Sequence, residues 1–253
     1  MKVLITFALA NEFAGWRKLR RFKLDSTGEW AKTYVAQAGL CDLRVVLTGA
    51  GRIATERALR GAFVGEPDVC IASGLSGSLK LDYAPGDVLA ARTVADVNGA
   101  RLVSSDRELV RRAQESGART VETFLVSDDV ISTTQQKRAL AASGDAVDME
   151  SVYVLAAAAG RGIRSIAIRA ISDGADSDLP IDFNGIFDER GAVSVPKVIA
   201  RAVRRPARIP GLLRLAQESA GAASSLGRFL EAYVQAIGSV PLSEIAKVEA
   251  LAV

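Results

Sequence analysis

Residues 146–176 read AVDMESVYVLAAAAGRGIRSIAIRAISDGAD, a pattern that predicts a helix followed by a buried strand. Asp148 is placed to cap the helix, alanines and Leu155 carry it onward, and Gly160 and Gly162 make a double stop. Residues 165–171 then form a β-branched apolar run of strand length, closed by Ser172-Asp173. In open α/β sheets ligands bind in the crevice outside the carboxyl ends of the strands, so an acid at that point is placed for chemistry. Glu150, at the helix start, is a second carboxylate. Each acid also has a purely structural reading: Asp173 as a cap or turn residue, and Glu150 as a first-turn acid favoured by the helix dipole.

The whole chain has 253 residues, 49% hydrophobic and 24% charged, enough for one large α/β domain or two small ones with a real core. No run of about 20 uninterrupted apolar residues occurs, and Met1-Lys2 leads straight into a strand, so a cytoplasmic protein is expected. Cys41 and Cys70 are too few for a disulfide framework and too far apart for a paired metal-ligand motif, and read as reduced core residues. The chain has no histidine, which excludes Ser-His-Asp triads, Cys-His nucleophiles and the helical zinc-protease motif. Acid–base work therefore falls to carboxylates. A net charge of +3, with both signs mixed through most of the chain, gives no argument for nucleic acid as a partner.

Met149-Glu150 followed by Arg169-Ala-Ile-Ser-Asp173, in this order and at this separation, closely resembles the nucleoside phosphorylase and nucleosidase superfamily. The resemblance spans roughly residues 1–180. It implies that Met149 packs beneath a ribose, that Glu150 accepts hydrogen bonds from the ribose hydroxyls, and that Asp173, oriented by Ser172, donates a proton to a departing purine. Such an acid has to be protonated as the bond breaks, which calls for burial when substrate closes the site.

Residues 2–9, KVLITFAL, read as a central strand covered on both faces, and Ala10-Asn11-Glu12 opens a helix carrying Trp16 and a basic tail. The nucleosidase branch carries an acid here that positions or activates the attacking water, which implies that role for Glu12; a helix N-terminal acid is the alternative. Strands are expected over 32–38 and 43–48. Thr48-Gly-Ala-Gly51-Arg52 then turns into a helix to about Phe63, and such a turn can cradle an anion on free backbone N–H groups. A dinucleotide site would need an acid at the end of the next strand, whereas Asp68 precedes it. The turn is better read as lying beside a ribose or phosphate pocket, with Arg52 either a candidate phosphate ligand or an ordinary solvated helix residue.

The strand 69–72 runs into Ser73-Gly74-Leu75-Ser76-Gly77, read as the superfamily's glycine-rich turn lining sugar and base, with Ser78 where a second glycine is common. Some phosphorylases place an arginine just before this turn to hold phosphate; Ala72 stands there, which puts phosphorolysis in doubt. A helix is expected over 105–116, a strand over 120–126 and a helix from about Thr133. Between them Val130 and Ile131 fall where the nucleosidase branch packs an apolar residue on adenine and contacts it through backbone, although simple core packing is their alternative. Val130 lacks an aromatic face, so stacking is expected to be weaker. Residues 177–191 form a loop that can lie over the site.

From Val195 the character changes. Lys197, Arg201, Arg204, Arg205, Arg208 and Arg214 arrive before any acid, and Pro206 and Pro210 forbid one continuous helix. Leu226, Phe229, Leu230, Tyr233, Val234 and Ile237 then mark an amphipathic helix that packs on the domain or on a partner subunit. Residues 204–216, RRPARIPGLLRLA, resemble the C-terminal extension of the bacterial hopanoid-associated nucleoside phosphorylase group.

The expected fold is a three-layer α/β/α nucleoside phosphorylase-like domain around a twisted mixed sheet, residues 1–193, with a helical C-terminal extension, 194–253, packed on or beside it. The activity the resemblance implies is cleavage of a purine N-glycosidic bond, with adenosylhopane as the subgroup's substrate. The alternatives are a soluble methylthioadenosine or adenosylhomocysteine nucleosidase, a non-catalytic nucleoside-binding sensor, and, less well supported, a dinucleotide-binding oxidoreductase. No metal or organic cofactor is implied, phosphate being a candidate co-substrate. A homo-oligomer is expected, and the basic extension suggests peripheral contact with the inner membrane face.

Overall fold

The computed structural model describes residues 1–204 and 206–239. Arg205 of the basic run, and residues 240–253 of the expected extension, lie outside the described residues. In chain order the elements are β1 (Lys2–Phe7), α1 (Ala10–Arg17), β2 (Lys23–Thr27), β3 (Lys32–Ala38), β4 (Cys41–Leu47), α2 (Arg52–Leu59), β5 (Val69–Ser78), β6 (Val88–Asp96) and β7 (Leu102–Ser104). They continue with α3 (Arg107–Glu115), β8 (Arg119–Val126), α4 (Thr134–Leu140), β9 (Ala146–Asp148), α5 (Ser151–Ala159), β10 (Arg164–Asp173), α6 (Val195–Arg204) and α7 (Ile209–Gly238), the last two separated by a 3-10 turn at Pro206–Arg208. Pro210 sits in the first turn of α7, where its missing N–H has no helical partner to lose.

Among the described residues these strands form one mixed sheet, ordered β10-β6-β8-β9-β5-β1-β4-β3-β2, with β7 on β6. β10 also pairs with β5, so β5, β10, β6, β8 and β9 close on themselves while β1, β4, β3 and β2 run off as a wing. β1 lies between β4 and β5, parallel to both, and β10 runs parallel to β5 from Arg164 beside Val69 to Asp173 beside Gly77. The carboxyl ends of β1, β5 and β10 thus open on the same side. A register shift between Ile171 and Asp173 precedes the last β10–β5 pair, and a bulge of this kind re-aims side chains at a strand's end.

Because side chains alternate along a strand, Val3, Ile5 and Phe7 of β1 join one core while Leu4 joins the other. The first core is closed by α1, α3 and α7, the second by α2 and α5. The expected three-layer mixed α/β fold is therefore present. Leu226, Phe229, Leu230, Tyr233, Val234 and Ile237 are all buried in the first core, so the apolar face of α7 packs on the sheet of its own chain. α7 also crosses α1 backbone to backbone: a Cβ on Gly15 would stand 2.1 Å from the Ala223 carbonyl oxygen, and one on Gly227 would stand 2.6 Å from Trp16 N. Only glycine fits on either side of that crossing.

Three local expectations are corrected. Residues 146–148 are a short strand between β8 and the end of β5, and the helix begins at Ser151. Residues 73–77 continue β5 as strand instead of turning, because they pair with β10 along their whole length. β2 was not expected, since KLDST is wholly exposed and gains its strand character from pairing with β3 alone.

Candidate active site

A cavity of about 220 Å³ opens at the carboxyl ends of β1, β5 and β10. Glu12, Leu75, Ser76, Gly77, Val130, Ile131, Met149, Glu150, Ser172 and Asp173 all line it, so residues scattered over most of the chain converge as the motifs imply. Two expected members stand elsewhere. Gly74 lies behind the wall, where an added Cβ would fall 2.1 Å from an Arg169 guanidinium nitrogen; its φ of +153° and missing side chain make room for that arginine. Arg52 does not line the cavity. It lies exposed on α2, its Nε 3.1 Å from Glu56 Oε1, so the phosphate role considered for it has no geometric basis.

Glu12 sits in the first turn of α1, and its Oε2 accepts from the Leu9 N–H, at the residue that caps the helix, at 2.9 Å. Its Oε1 accepts from the Leu75 N–H of β5 at 3.0 Å. Burial pushes its carboxyl up, against the opposing pull of the Arg169 guanidinium and those two N–H groups. A carboxyl raised in this way is closer to the range useful to a general base at neutral pH.

Glu150 is fixed by the turn before α2. The Gly51 N–H donates to Glu150 Oε1 at 2.8 Å, so the anion-cradling N–H of the glycine turn is taken by a side chain of the protein itself. Behind Glu150 stands Arg169 of β10, fully buried. Its Nε lies 3.0 Å from Asp148 Oδ2, its Nη2 lies 3.6 Å from Glu150 Oε2, and its Nη1 donates to the Ser73 carbonyl at 3.1 Å. Asp148, the last residue of β9, accepts from the N–H groups of Glu150 and Ser151; the cap position expected of it is taken by Glu150. Burial raises Glu150 to about 8 despite the opposing Arg169 charge.

Asp173 ends β10 between two donors. Ser172 Oγ donates to Oδ1 at 2.7 Å, and Lys137 Nζ of α4 donates to Oδ2 at 2.6 Å. Sequence reasoning missed Lys137, because TQQKRAL reads as a solvated polar helix, yet its side chain is completely buried. It also missed the apolar side of the cavity. Leu179, Phe183 and Phe187 come from the loop expected to overlie the site, and Leu215 comes from α7. Asn184 holds this loop down: its Oδ1 accepts from the Val130 N–H at 2.7 Å and its Nδ2 donates to the Val130 carbonyl. Ser76 lines the cavity, and its Oγ is buried without a protein partner.

A family model described as the Phosphorylase superfamily matches residues 17–204. No curated protein sequence matches the chain. Among solved structures, the chain is similar to Campylobacter jejuni 5'-methylthioadenosine/S-adenosyl homocysteine nucleosidase, with 15% identity and a TM-score of 0.71 over 93% of this chain and 99% of that one. It is similar also to the futalosine hydrolase of Helicobacter pylori strain 26695, with 15% identity and a TM-score of 0.71 over 92% and 97% of the two chains. The same TM-score of 0.71, at 16% identity over 94% and 100%, relates it to a Streptococcus pneumoniae 5'-methylthioadenosine/S-adenosylhomocysteine nucleosidase with a transition-state inhibitor bound. At these identities the likeness is one of fold.

Proposed function

Since the chain belongs to the Phosphorylase superfamily, we propose that its cavity cleaves the N-glycosidic bond of a purine nucleoside, with adenine as the base. The observation that carries this is the convergence of Asp173, Glu150 with Met149, and Glu12 on one cavity at the ends of β10, α5 and α1. As the C–N bond breaks, its electron pair goes to the base and positive charge develops on the sugar. Asp173 gives its proton to the base. Glu150 takes the ribose hydroxyls, held by the Gly51 N–H and Arg169. Glu12, with each oxygen already holding one backbone N–H, orients the attacking water. Val130 and Ile131 pack on the ring; Val130's backbone is occupied by Asn184, which leaves base-edge contacts to Ile131.

Leu179, Phe183, Phe187 and Leu215 support an apolar 5' substituent on the nucleoside. With the resemblance of residues 204–216 to the hopanoid-associated group, this favours adenosylhopane, which would lose adenine to leave ribosylhopane. Methylthioadenosine and adenosylhomocysteine are the second reading, favoured by the fold shared with the Campylobacter and Streptococcus nucleosidases. Incubating the protein with adenosylhopane and with methylthioadenosine while free adenine is measured separates the two. Release of adenine from neither would leave a nucleoside-binding sensor.

Water is the proposed nucleophile. Among the described residues lining the cavity there is neither a lysine nor an arginine, and Ala72, where some phosphorylases carry an arginine, is buried in β5. Adenine release is therefore expected to be unchanged by phosphate. Strict phosphate dependence with a ribose-1-phosphate product would reverse this.

The extension is proposed to touch an anionic membrane surface. Val195, Ile199 and Val203 recur four apart on α6 and are 61%, 56% and 70% exposed, and Leu213 at the start of α7 is 61% exposed. Arg204 and Arg208 stand near them in sequence, and Arg214 does so with its Nε 2.8 Å from Glu218 Oε1, whereas Lys197 and Arg201 are spent on the loop carbonyls of Gly185, Asp182 and Asn184. No helix among the described residues is long and apolar enough to cross a membrane. Each basic residue near an anionic leaflet contributes about 1 kcal/mol, so binding is expected to be reversible and weakened by salt. Co-sedimentation with phosphatidylserine vesicles at low salt should capture the intact protein, and less of it once Arg204 and Arg208 are changed to Glu. No sedimentation of the intact protein would end the proposal.

A further inference from the structure

Lys137 is a buried cation to which the proposed chemistry gives no task. Its ammonium has three protons and all are used: Nζ donates to Asp173 Oδ2 at 2.6 Å, to the Gly174 carbonyl at 2.6 Å and to the Ser177 carbonyl at 3.0 Å. The first turn of α4 grips the same segment, with the Thr134 N–H donating to Asp178 Oδ1 at 2.7 Å and the Leu179 N–H donating to the Ser132 carbonyl. That segment carries Leu179 into the cavity wall. Burying a lysine completely is costly unless its charge is matched, and here the matching anion is the carboxylate assigned to proton transfer.

We propose that Lys137 is the positioning residue of the general acid. It pins Asp173 Oδ2 and the backbone that follows, which leaves Oδ1, on the Ser172 side, to present the proton to the base. Its charge also favours the transfer itself. Protonated Asp173 leaves the buried ammonium without its counter-charge; when the O–H bond breaks and the base N–H bond forms, the Lys137–Asp173 ion pair is restored. That gain is made in the transition state and not in the ground state, so it acts on kcat more than on KM. Other charged groups surround the pair at greater remove. Glu12, Asp129, Asp148 and Glu150 line the cavity, and Asp178, Arg208, Arg214 and Glu218 line the groove on the other side of Asp173. Among the described residues Lys137 is the cation in ion-pair contact with Asp173.

The inference rests on the glycosidase reading, and the test separates the two. The kcat and KM of adenine release are measured for the wild type, Lys137→Met, Lys137→Arg and Asp173→Asn, with melting temperatures alongside. Lys137→Met is expected to lower kcat about 10- to 100-fold with KM nearly unchanged. Lys137→Arg, which keeps the charge, should recover most of kcat. A lysine with only a structural role would lower the melting temperature of Lys137→Met and leave its kcat, measured well below that temperature, within a few-fold of the wild type, and that result overturns the proposal. Should Lys137→Met fail to fold, Lys137→Gln at reduced temperature gives the same comparison. Asp173→Asn tells which idea has failed: if it stays active the glycosidase assignment of the site falls, and if it is inactive beside a Lys137→Met variant of near wild-type kcat only the role of Lys137 falls.

Discussion

Asp173→Asn should lose about 10²- to 10⁴-fold in adenine release while keeping the fold, because an amide has the shape of a carboxyl and no proton to give to the leaving base. The surroundings of Asp173 accept the amide in one orientation. Its oxygen can receive Lys137 Nζ, now 2.6 Å from Oδ2, and its NH₂ can face Ser172 Oγ, now 2.7 Å from Oδ1, which can accept as well as donate. The reverse orientation would set NH₂ against the ammonium. Replacing one member of a buried ion pair still costs stability, up to about 3 to 5 kcal/mol, although Lys137 keeps the Gly174 and Ser177 carbonyls. Turnover is therefore to be measured well below the variant's own melting temperature, with adenine binding as a check that the cavity persists. Activity within a few-fold of the wild type would remove Asp173 from proton transfer.

Why Asp173 was visible in the sequence and Lys137 was not is a matter of which contacts are local. Ser172-Asp173 follows a seven-residue apolar run, and a polar pair at the end of a buried strand announces itself. Met149-Glu150 is marked in the same way by the alanine-rich helix behind it. Lys137 sits among Thr, Gln and Arg, and its burial is imposed by residues 174–178 wrapping over α4, a contact that no periodicity records. The apolar face of α7 was legible because its spacing continues for several turns, whereas Leu215, in the half of α7 with few buried residues, lines the cavity only because of what that helix passes. Residues 73–77 mislead for a related reason. Glycines and serines look like a turn, but this strand needs them small, since Arg169 passes behind Gly74 and Asp173 packs beside Gly77. Arg52 lies outside the cavity lining, beside Glu56 one helical turn on.

Arg169→Met should cost about 3 to 5 kcal/mol at alkaline pH and clearly less near pH 5, a pattern that packing loss alone cannot produce. Arg169 is the buried cation that Asp148, Glu150 and Glu12 share: it is paired with Asp148 at 3.0 Å, lies 3.6 Å from Glu150, and opposes the upward push of burial on both glutamates. Methionine fills much of the aliphatic volume but leaves the carboxylates facing one another without a counter-charge. The sign of the pH dependence follows from proton counting. In the unfolded chain the glutamates titrate near 4.3; in the folded protein Glu150 already holds its proton to about 8. Between those values the native state binds more protons than the unfolded state, so stability falls as pH rises. Removing Arg169 raises both glutamates further, which steepens the fall and extends it beyond pH 8. Near pH 5 both can meet the loss by holding protons, and most of the cost is avoided. Denaturant unfolding of the wild type and Arg169→Met at pH 5.5 and 8.5 tests this, with Glu150→Gln added to the arginine variant to return part of the loss at the higher pH only. An equal deficit at both values, unaffected by Glu150→Gln, would mean that Arg169 fills space behind Gly74 and does not hold the ribose-binding carboxylate in its working state.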